Sequence, residues 1–510
     1  MNLRFITENT HYWRSDILSG LVVFLIALPL SLGISFASGA PASAGLISAV
    51  LGGLFGSFLG GSSLAINGPA AGLIVVVLSG IQNLGHGDQM LGFRRVLACL
   101  VIVGALQIIS GFIKAGKLVA LFPLSVVHGM LTSIGLIIMI KQLHVFFGHS
   151  AGPSIVDSVL GLPESVLNLV PESALIGLFG ISVLLVYPHL KFRPTKSLPA
   201  PLIVAAGGIL LGLILHPKGL VNIPTSPNKF LITPVFDVIS STQSILVIVT
   251  IFFVASLESI LSASAIDQLD PLGRESDFNK ELWSKGVINL LCGLIGGLPV
   301  IAEIVRSSAN ISHGGRTPLA NFSHGIFILM FILLFPSVLN MIPLSALAAI
   351  LIYVGLRLAN PKQFKEMLGL GLNSFIAFAI TIVVTLLEDL LLGILAGMIV
   401  EGVFSFMSHS SSFSRLLNPK FDIKVTEDNA IIHLEGSLSF LSTLKQKELF
   451  LAISNYKVIE MDLTKISFID PTSLFLLSRE TAKIKKNGGI VRIRLPEKYH
   501  SVFQRIEHHS

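Results

Sequence analysis

Charge is scarce in this chain. Of its 510 residues only 13% are Asp, Glu, Lys or Arg and 52% are hydrophobic, whereas a soluble domain carries about 25% charged residues. With a mean hydropathy of +0.81, the composition excludes a soluble globular protein and predicts a polytopic membrane protein. Cysteine is nearly absent: Cys99 and Cys292 both lie in apolar segments, which excludes a disulfide scaffold or a zinc site. Enzyme motifs are missing too. Residues 111–117 begin like a phosphate-binding loop, but Leu118 stands where the Ser/Thr metal ligand belongs and no strand precedes the segment. Any uphill transport must therefore be secondary, with Na⁺ or H⁺ as the possible coupling ion and no other cofactor. No cleavable leader is expected, because residues 1–16 are polar and the apolar run from Ile17 is long enough to stay as a helix.

The net charge of +6 says less than its placement. With a cytoplasmic N-terminus and alternating spans, the inner loops collect Arg14, Lys114, Lys117, Lys191, Arg193, Lys196, Arg274, Lys280, Arg316, Arg357, Lys362, Lys365, Arg415 and Lys420. The outer loops receive only Arg94, Arg95, Lys141, Lys218 and Lys229. This bias places both termini in the cytoplasm of a cell-membrane protein and argues against a nucleic-acid partner.

Stretches near the ~20 residues needed to cross a bilayer fall at 17–37, 42–60, a short 68–81, 93–113, 119–140, 172–188 and 199–215. A second set falls at 242–263, 283–296, a short 299–312, 319–337, 343–357, 372–387 and 389–408. An odd number of spans in each half inverts the second half relative to the first. The expected organisation is a cytoplasmic segment 1–15, a transport domain 16–410 with repeats 16–215 and 242–408, and a soluble cytoplasmic domain 416–510. In that last domain, strand-like runs at 430–434, 458–463 and 490–495 alternate with helix-like runs at 442–454 and 472–486, an α/β pattern.

The third segment of each half is interrupted by Gly and Pro: Asn67-Gly68-Pro69 in the first, Gly296-Gly297-Leu298-Pro299 in the second. Proline suits the first turn of a helix, so helices are expected to restart at Pro69–Ala70 and at Pro299. A broken backbone survives at membrane depth only inside protein or along a watery cavity, and paired breaks point to a transporter's binding site. Gly52, Gly56 and Gly60 are spaced to let a neighbour approach closely.

Charges inside spans are costly and mark functional candidates. Glu258 has Ser262 one turn later; the two offer oxygens to a small cation, or Glu258 is a protonated acid bonded to a neighbouring helix. Glu303 and Arg306 share a face of the second short helix. They form either an anion site with the helix N-terminus or a private ion pair. Two carboxylates against one guanidinium leave a net charge of −1, and two helix N-termini of about half a charge each bring this only near neutral. An incoming anion then favours a companion cation. Asp267 and Asp270 read as solvated loop charges, and His313 and His324 as interfacial or packing residues.

At these residues the chain resembles the SulP family of anion transporters, the sulfate permease relatives of animal anion exchangers. The resemblance rests on Asp16-Ile17-Leu18-Ser19-Gly20 with Ala27-Leu28-Pro29, on Ile66-Asn67-Gly68-Pro69-Ala70, on Ser256 to Ala263, and on Pro299 through Asn310 followed by Gly314-Gly315-Arg316-Thr317-Pro318. It implies a seven-plus-seven inverted repeat with two half-helices, an elevator working in a homodimer, and a C-terminal STAS domain. It also implies an anion between the two short helices near Pro29, Ser31, Gly68, Pro69, Ala70, Ala71, Glu303 and Arg306, and Na⁺ at Glu258 and Ser262, as in bicarbonate-transporting relatives. Leu30 replaces a Gln common in the family and Glu303 replaces a small or hydroxyl residue; both tilt the expectation from sulfate toward bicarbonate or another monovalent anion. Ile469-Asp470-Pro471-Thr472-Ser473 resembles the segment where anti-sigma-factor antagonists are phosphorylated. This makes Thr472 a regulatory candidate, while Asp470 serves equally as a helix N-cap. The readings that remain open are a coupled secondary transporter, an uncoupled anion channel or exchanger on the same fold, and a membrane-anchored signalling scaffold.

Overall fold

The structure is a computed structural model that describes residues 11–507 except 153, 190–197, 224–229, 408–418, 427–428, 454–455 and 487. Of the loop charges counted above, Lys191, Arg193, Lys196, Lys229 and Arg415 lie outside the described residues.

The first half comprises α1 (Trp13–Ala37), α2 (Ala42–Leu59), the strand β1 (Asn67–Pro69), α3 (Ile74–Gly85) entered through a 3₁₀ turn at Ala71–Leu73, α4 (Gln89–Phe112), α5 (Leu124–Phe146), α6 (Ile155–Leu167), α7 (Pro171–Val186) and α8 (Ala200–Leu215). The second comprises α9 (Thr242–Leu269), α10 (Phe278–Ile295), the strand β2 (Val300–Ala302), α11 (Ile304–Ser312), α12 (Leu319–Leu334), the single turn α13 (Pro336–Leu339), α14 (Leu344–Leu358), α15 (Pro361–Leu370), α16 (Leu372–Leu387) and α17 (Leu390–Met407). Setting aside α6, α13 and α15, seven apolar segments stand in each half, and the third of each is a strand followed by a short helix.

Two expectations require correction here. Neither proline starts a helix: Pro69 closes β1, Pro299 precedes β2, and the second short helix begins at Ile304. The reason is pairing. β1 and β2 run antiparallel, with Asn67 opposite Ala302, Gly68 opposite Ile301 and Pro69 opposite Val300, so each break satisfies the other's backbone. Two connections expected as loops are helices: α6, whose N-cap Ser154 and Asp157 form a capping box, and α15, capped by Asn360.

The described chain divides into two compact units: one runs through Gly116 and resumes over Ile134–Leu358, the other combines Lys117–Ser133 with Ala359–Ser510. In the first unit α1, α2, α12 and α14 enclose a core built around Phe24, Leu28, Leu32, Leu46, Ile328 and Leu347. In the second, β3 (Lys420–Val425), β4 (Asn429–Leu438), β5 (Val458–Asp462) and β7 (Ile490–Arg494) form a sheet in the order β3-β4-β5-β7, with β6 (Ile466–Ile469) parallel to β4. The β3–β4 pair is antiparallel; β4–β5 and β5–β7 are parallel. Helices α18 (Thr443–Ile453), α19 (Pro471–Lys486) and α20 (Glu497–Glu507) complete it, and Ile432, Leu434, Phe450, Ile459, Met461 and Leu477 fill its core. The alternating pattern identified three of these strands and two of the helices. It missed β3, β6 and α20.

Candidate functional site

A two-stranded ladder at membrane depth exposes an outer edge on each strand, and unpaired backbone groups there are costly. Side-chain amides cover both edges. Asn289 on α10 accepts the N–H of Val300 at 2.6 Å and donates to the Val300 carbonyl at 3.3 Å; it is itself held by Gln107 of α4, to whose Oε1 it donates at 2.8 Å. Asn321 on α12 accepts the N–H of Asn67 at 3.1 Å and donates to the carbonyls of Gly52 and Gly53. Gly52 and Gly56 leave room for Asn67, where a Cβ would collide with it.

The ladder is extended by hydrogen bonds between the breaks. The N–H of Ala70 donates to the Pro299 carbonyl (3.1 Å) and that of Glu303 to the Ile66 carbonyl (2.8 Å). Ser307 accepts the N–H of Ile66 at 2.8 Å and donates to the Glu303 carbonyl at 2.6 Å, and Asn310 donates to the Leu64 carbonyl. Helix α1 is locked to this frame by Ser19, which donates to Asn310, and by Asp16, which accepts the N–H groups of Arg316 and Thr317 and the Thr317 hydroxyl. The motif residues of α1 thus brace α11 and the turn after it.

Around this frame the structure brings most of the predicted residues together. Arg306 is 1% exposed, and none of its three guanidinium nitrogens has a hydrogen-bond partner among the described residues. Its Nη1 lies against Gly68, where a Cβ would overlap it. Glu303 is the residue just before α11 and makes no cap to its own helix. Its Oε1 instead accepts the N–H of Ala71, 3.4 Å away at the start of the opposite short helix. The private Glu303–Arg306 ion pair is therefore not formed. Glu258 is buried on α9 with its carboxylate packed on Gly72, and its Oε2 has no partner.

Ser262 is half-buried one turn along α9 and makes no hydrogen bond to Glu258. Pro29 and Ser31 are buried within α1, and the Ser31 hydroxyl has no partner. Thr472 is half-buried at the start of α19, and its hydroxyl accepts the N–H of Leu124 at 3.0 Å, both within the second unit. Asp470 accepts the N–H groups of Phe440 and Ser473, so the cap reading describes its geometry. Asp270 is buried and paired with Arg274 at 2.8 Å, and half-buried Asp267 accepts the N–H and hydroxyl of Ser276, closing the α9–α10 turn.

The model of the sulfate permease family matches residues 13–384. The chain belongs to the sulfate permease family. Its members are transporters, which removes an enzymatic role, and this member is an integral multi-pass membrane protein. YvdB of Bacillus subtilis (strain 168), provisionally named a sulfate transporter, is 27% identical over 96% of this chain and 93% of its own. The bicarbonate transporter BicA of Picosynechococcus sp. is 29% identical over 78% of this chain and 72% of its own. The solved transmembrane domain of a cyanobacterial BicA superposes with a TM-score of 0.67 at 27% identity, over 75% of this permease chain and 98% of that domain. SLC26A9 shares the fold over 99% of this chain and 88% of its own, with a TM-score of 0.71 at 16% identity.

Sequence reasoning missed the buried pair Glu281–Lys285 and the amides of Asn289 and Asn321. Lys285, Asn289 and Asn321 carried a signal as polar side chains inside apolar spans, while Glu281 lies just before its span.

Proposed function

We propose that this permease is a secondary active transporter of a small inorganic anion, bicarbonate or sulfate-like, coupled to Na⁺ or H⁺ symport. One observation carries the reading. Arg306 is buried with all its donors unpartnered, directly against the glycine of the opposing break, where two helix N-termini converge. A cation so placed is stabilised by an anion with several acceptor oxygens. Glu258, with a buried and unpartnered Oε2, fits a carboxylate ligand for Na⁺ or an acceptor for a proton. Two carboxylates beside one guanidinium disfavour a lone anion and favour co-binding of a cation. The BicA relatives and the Glu303 and Leu30 positions support bicarbonate; YvdB supports sulfate.

The working model is an elevator in a homodimer in the cell membrane, with both termini cytoplasmic and the C-terminal α/β domain acting as a regulatory STAS domain. In that model phosphorylation of Thr472 would break its bond to Leu124 and set new charge beside Asp470. An uncoupled channel or an exchanger on the same fold is the competing reading.

The deciding experiment is uptake by purified protein in liposomes, comparing labelled bicarbonate with sulfate, with and without Na⁺ or a pH gradient. Uptake that requires one of the cation gradients supports symport. Gradient-independent conduction with large unitary currents supports the channel. Normal transport by Arg306→Ala would end the site assignment.

A further inference from the structure

The Ala71 N–H at the start of the first short helix is one of the donors an anion at this site needs, and Glu303 already holds it. Its 3.4 Å bond is longer than a well-made N–H···O bond of about 2.9 Å. The residue arrives from the other half of the molecule: the β1–β2 register sets its backbone opposite Ile66, and its side chain reaches across to the Ala71 N–H. An acceptor oxygen of the protein thus sits where a substrate oxygen would sit. The guanidinium that should neutralise Glu303 lies instead against Gly68 without a hydrogen bond.

We propose that Glu303 is a tethered competitor of the transported anion, displaced from the Ala71 N–H when it takes up a proton. This rests on the anion-transport reading of the site and deepens it by naming the residue that couples the anion to its companion cation. The charged groups on the surrounding elements are few. Glu258 approaches from α9 and Arg306 from α11; His324 is buried on α12 with both ring nitrogens unpartnered. Pro29 and Ser31 on α1 and the residues of the 3₁₀ turn do not titrate. In the ionised state Glu303 repels the anion and occupies its donor. A proton from solvent turns the carboxylate into a neutral acid whose O–H can donate, so the anion takes the Ala71 N–H; when the anion leaves, the proton leaves with it. A dianion meets the stronger repulsion, so the device also selects against doubly charged substrates when Glu303 is ionised.

The test is binding of sulfate and of bicarbonate to the purified full-length protein, titrated at several pH values with proton uptake recorded in weak buffer. Sulfate is included because its charge is constant across this range. The expected result is affinity that weakens up to tenfold per pH unit on the alkaline side, with uptake approaching one proton per anion bound. Glu303→Gln is expected to bind both anions about tenfold more tightly near neutral pH, with the slope and the proton uptake removed. Glu303→Ala guards against a Gln that keeps the hydrogen bond, and its affinity should be equally flat with pH. Wild-type affinity independent of pH, or variants that keep the wild-type slope and uptake, would overturn the proposal while leaving anion transport standing. Absence of binding and transport of either anion by the wild type would overturn both.

Discussion

The Glu281 carboxylate lies 2.5 Å from the Lys285 ammonium on α10, and both side chains are fully buried. The second carboxylate oxygen accepts the N–H groups of Gly61 (2.7 Å) and Ser62 (3.3 Å), where the chain enters the first break. The pair therefore ties a helix of the second repeat to the approach of the first repeat's half-helix. Removing one member of a buried pair strands the other charge, at a cost of about 3–5 kcal/mol. Lys285→Met should lower the unfolding midpoint in detergent well below that of the double variant Glu281→Gln/Lys285→Met, which strands no charge. Equal losses in the two variants would show that the pairing is not what Lys285 supplies.

Asn289 supplies Val300 with both partners of a missing third strand. Asn289→Leu leaves the N–H and the carbonyl of Val300 unpaired in a dry environment, at about 1–3 kcal/mol for each group left unsatisfied. The expected outcome is a folded protein of lower thermal stability and reduced uptake, because β2 sets the position of Glu303 and Arg306. Gln107→Leu removes the support of Asn289, leaves its bonds to Val300 in place and should lose less. A ranking with Asn289→Leu more stable than Gln107→Leu would count against this role.

How far the sequence could be read follows from the range of the interactions involved. Spans, the doubled break and the α/β tail are properties of local hydropathy and of Gly and Pro, and they were legible. Pro69 and Pro299 were misjudged as helix starts because helix propensity is local, whereas the β1–β2 pairing joins residues more than two hundred positions apart. Glu281 and Lys285 went unread because they stand four residues apart, a spacing shared by exposed helix faces; only packing shows that both are dry. Glu303 and Arg306 were found as intramembrane charges. Gly68 and Ala71, which they meet, came as site residues only with the family resemblance, because a glycine and a backbone N–H carry no side-chain signal.

Gly68 and Gly72 each make room for one charged side chain of the site. A Cβ at residue 68 meets Nη1 of Arg306, and one at 72 meets the Glu258 carboxylate. Gly68→Ala should displace the guanidinium and weaken anion affinity by about tenfold or more, a loss of roughly 1.4 kcal/mol or greater. Gly72→Ala should displace Glu258 and act chiefly on the dependence of uptake on Na⁺ or pH. Uptake measured against anion concentration and against cation concentration distinguishes the two. Identical effects of both variants on both curves would merge the two sites into one.

Asp470 carries a pH dependence that the C-terminal domain should show. Burial lifts its carboxyl from an ordinary 3.8 to about 7, opposed by the Ser473 N–H it accepts and reinforced by the negative charge of Glu401. The folded domain then holds a proton through a range where the unfolded chain has released it. Stability is full below about pH 4 and falls as pH rises toward about 7. Asp470→Asn should flatten that slope, although Asn can accept only through one atom and leaves either the Phe440 or the Ser473 N–H unpaired, at about 1–3 kcal/mol. Chemical unfolding of the full-length protein, followed by a probe in the C-terminal domain at acidic and neutral pH, measures both effects. A wild-type slope that persists in Asp470→Asn would assign the titration to another group.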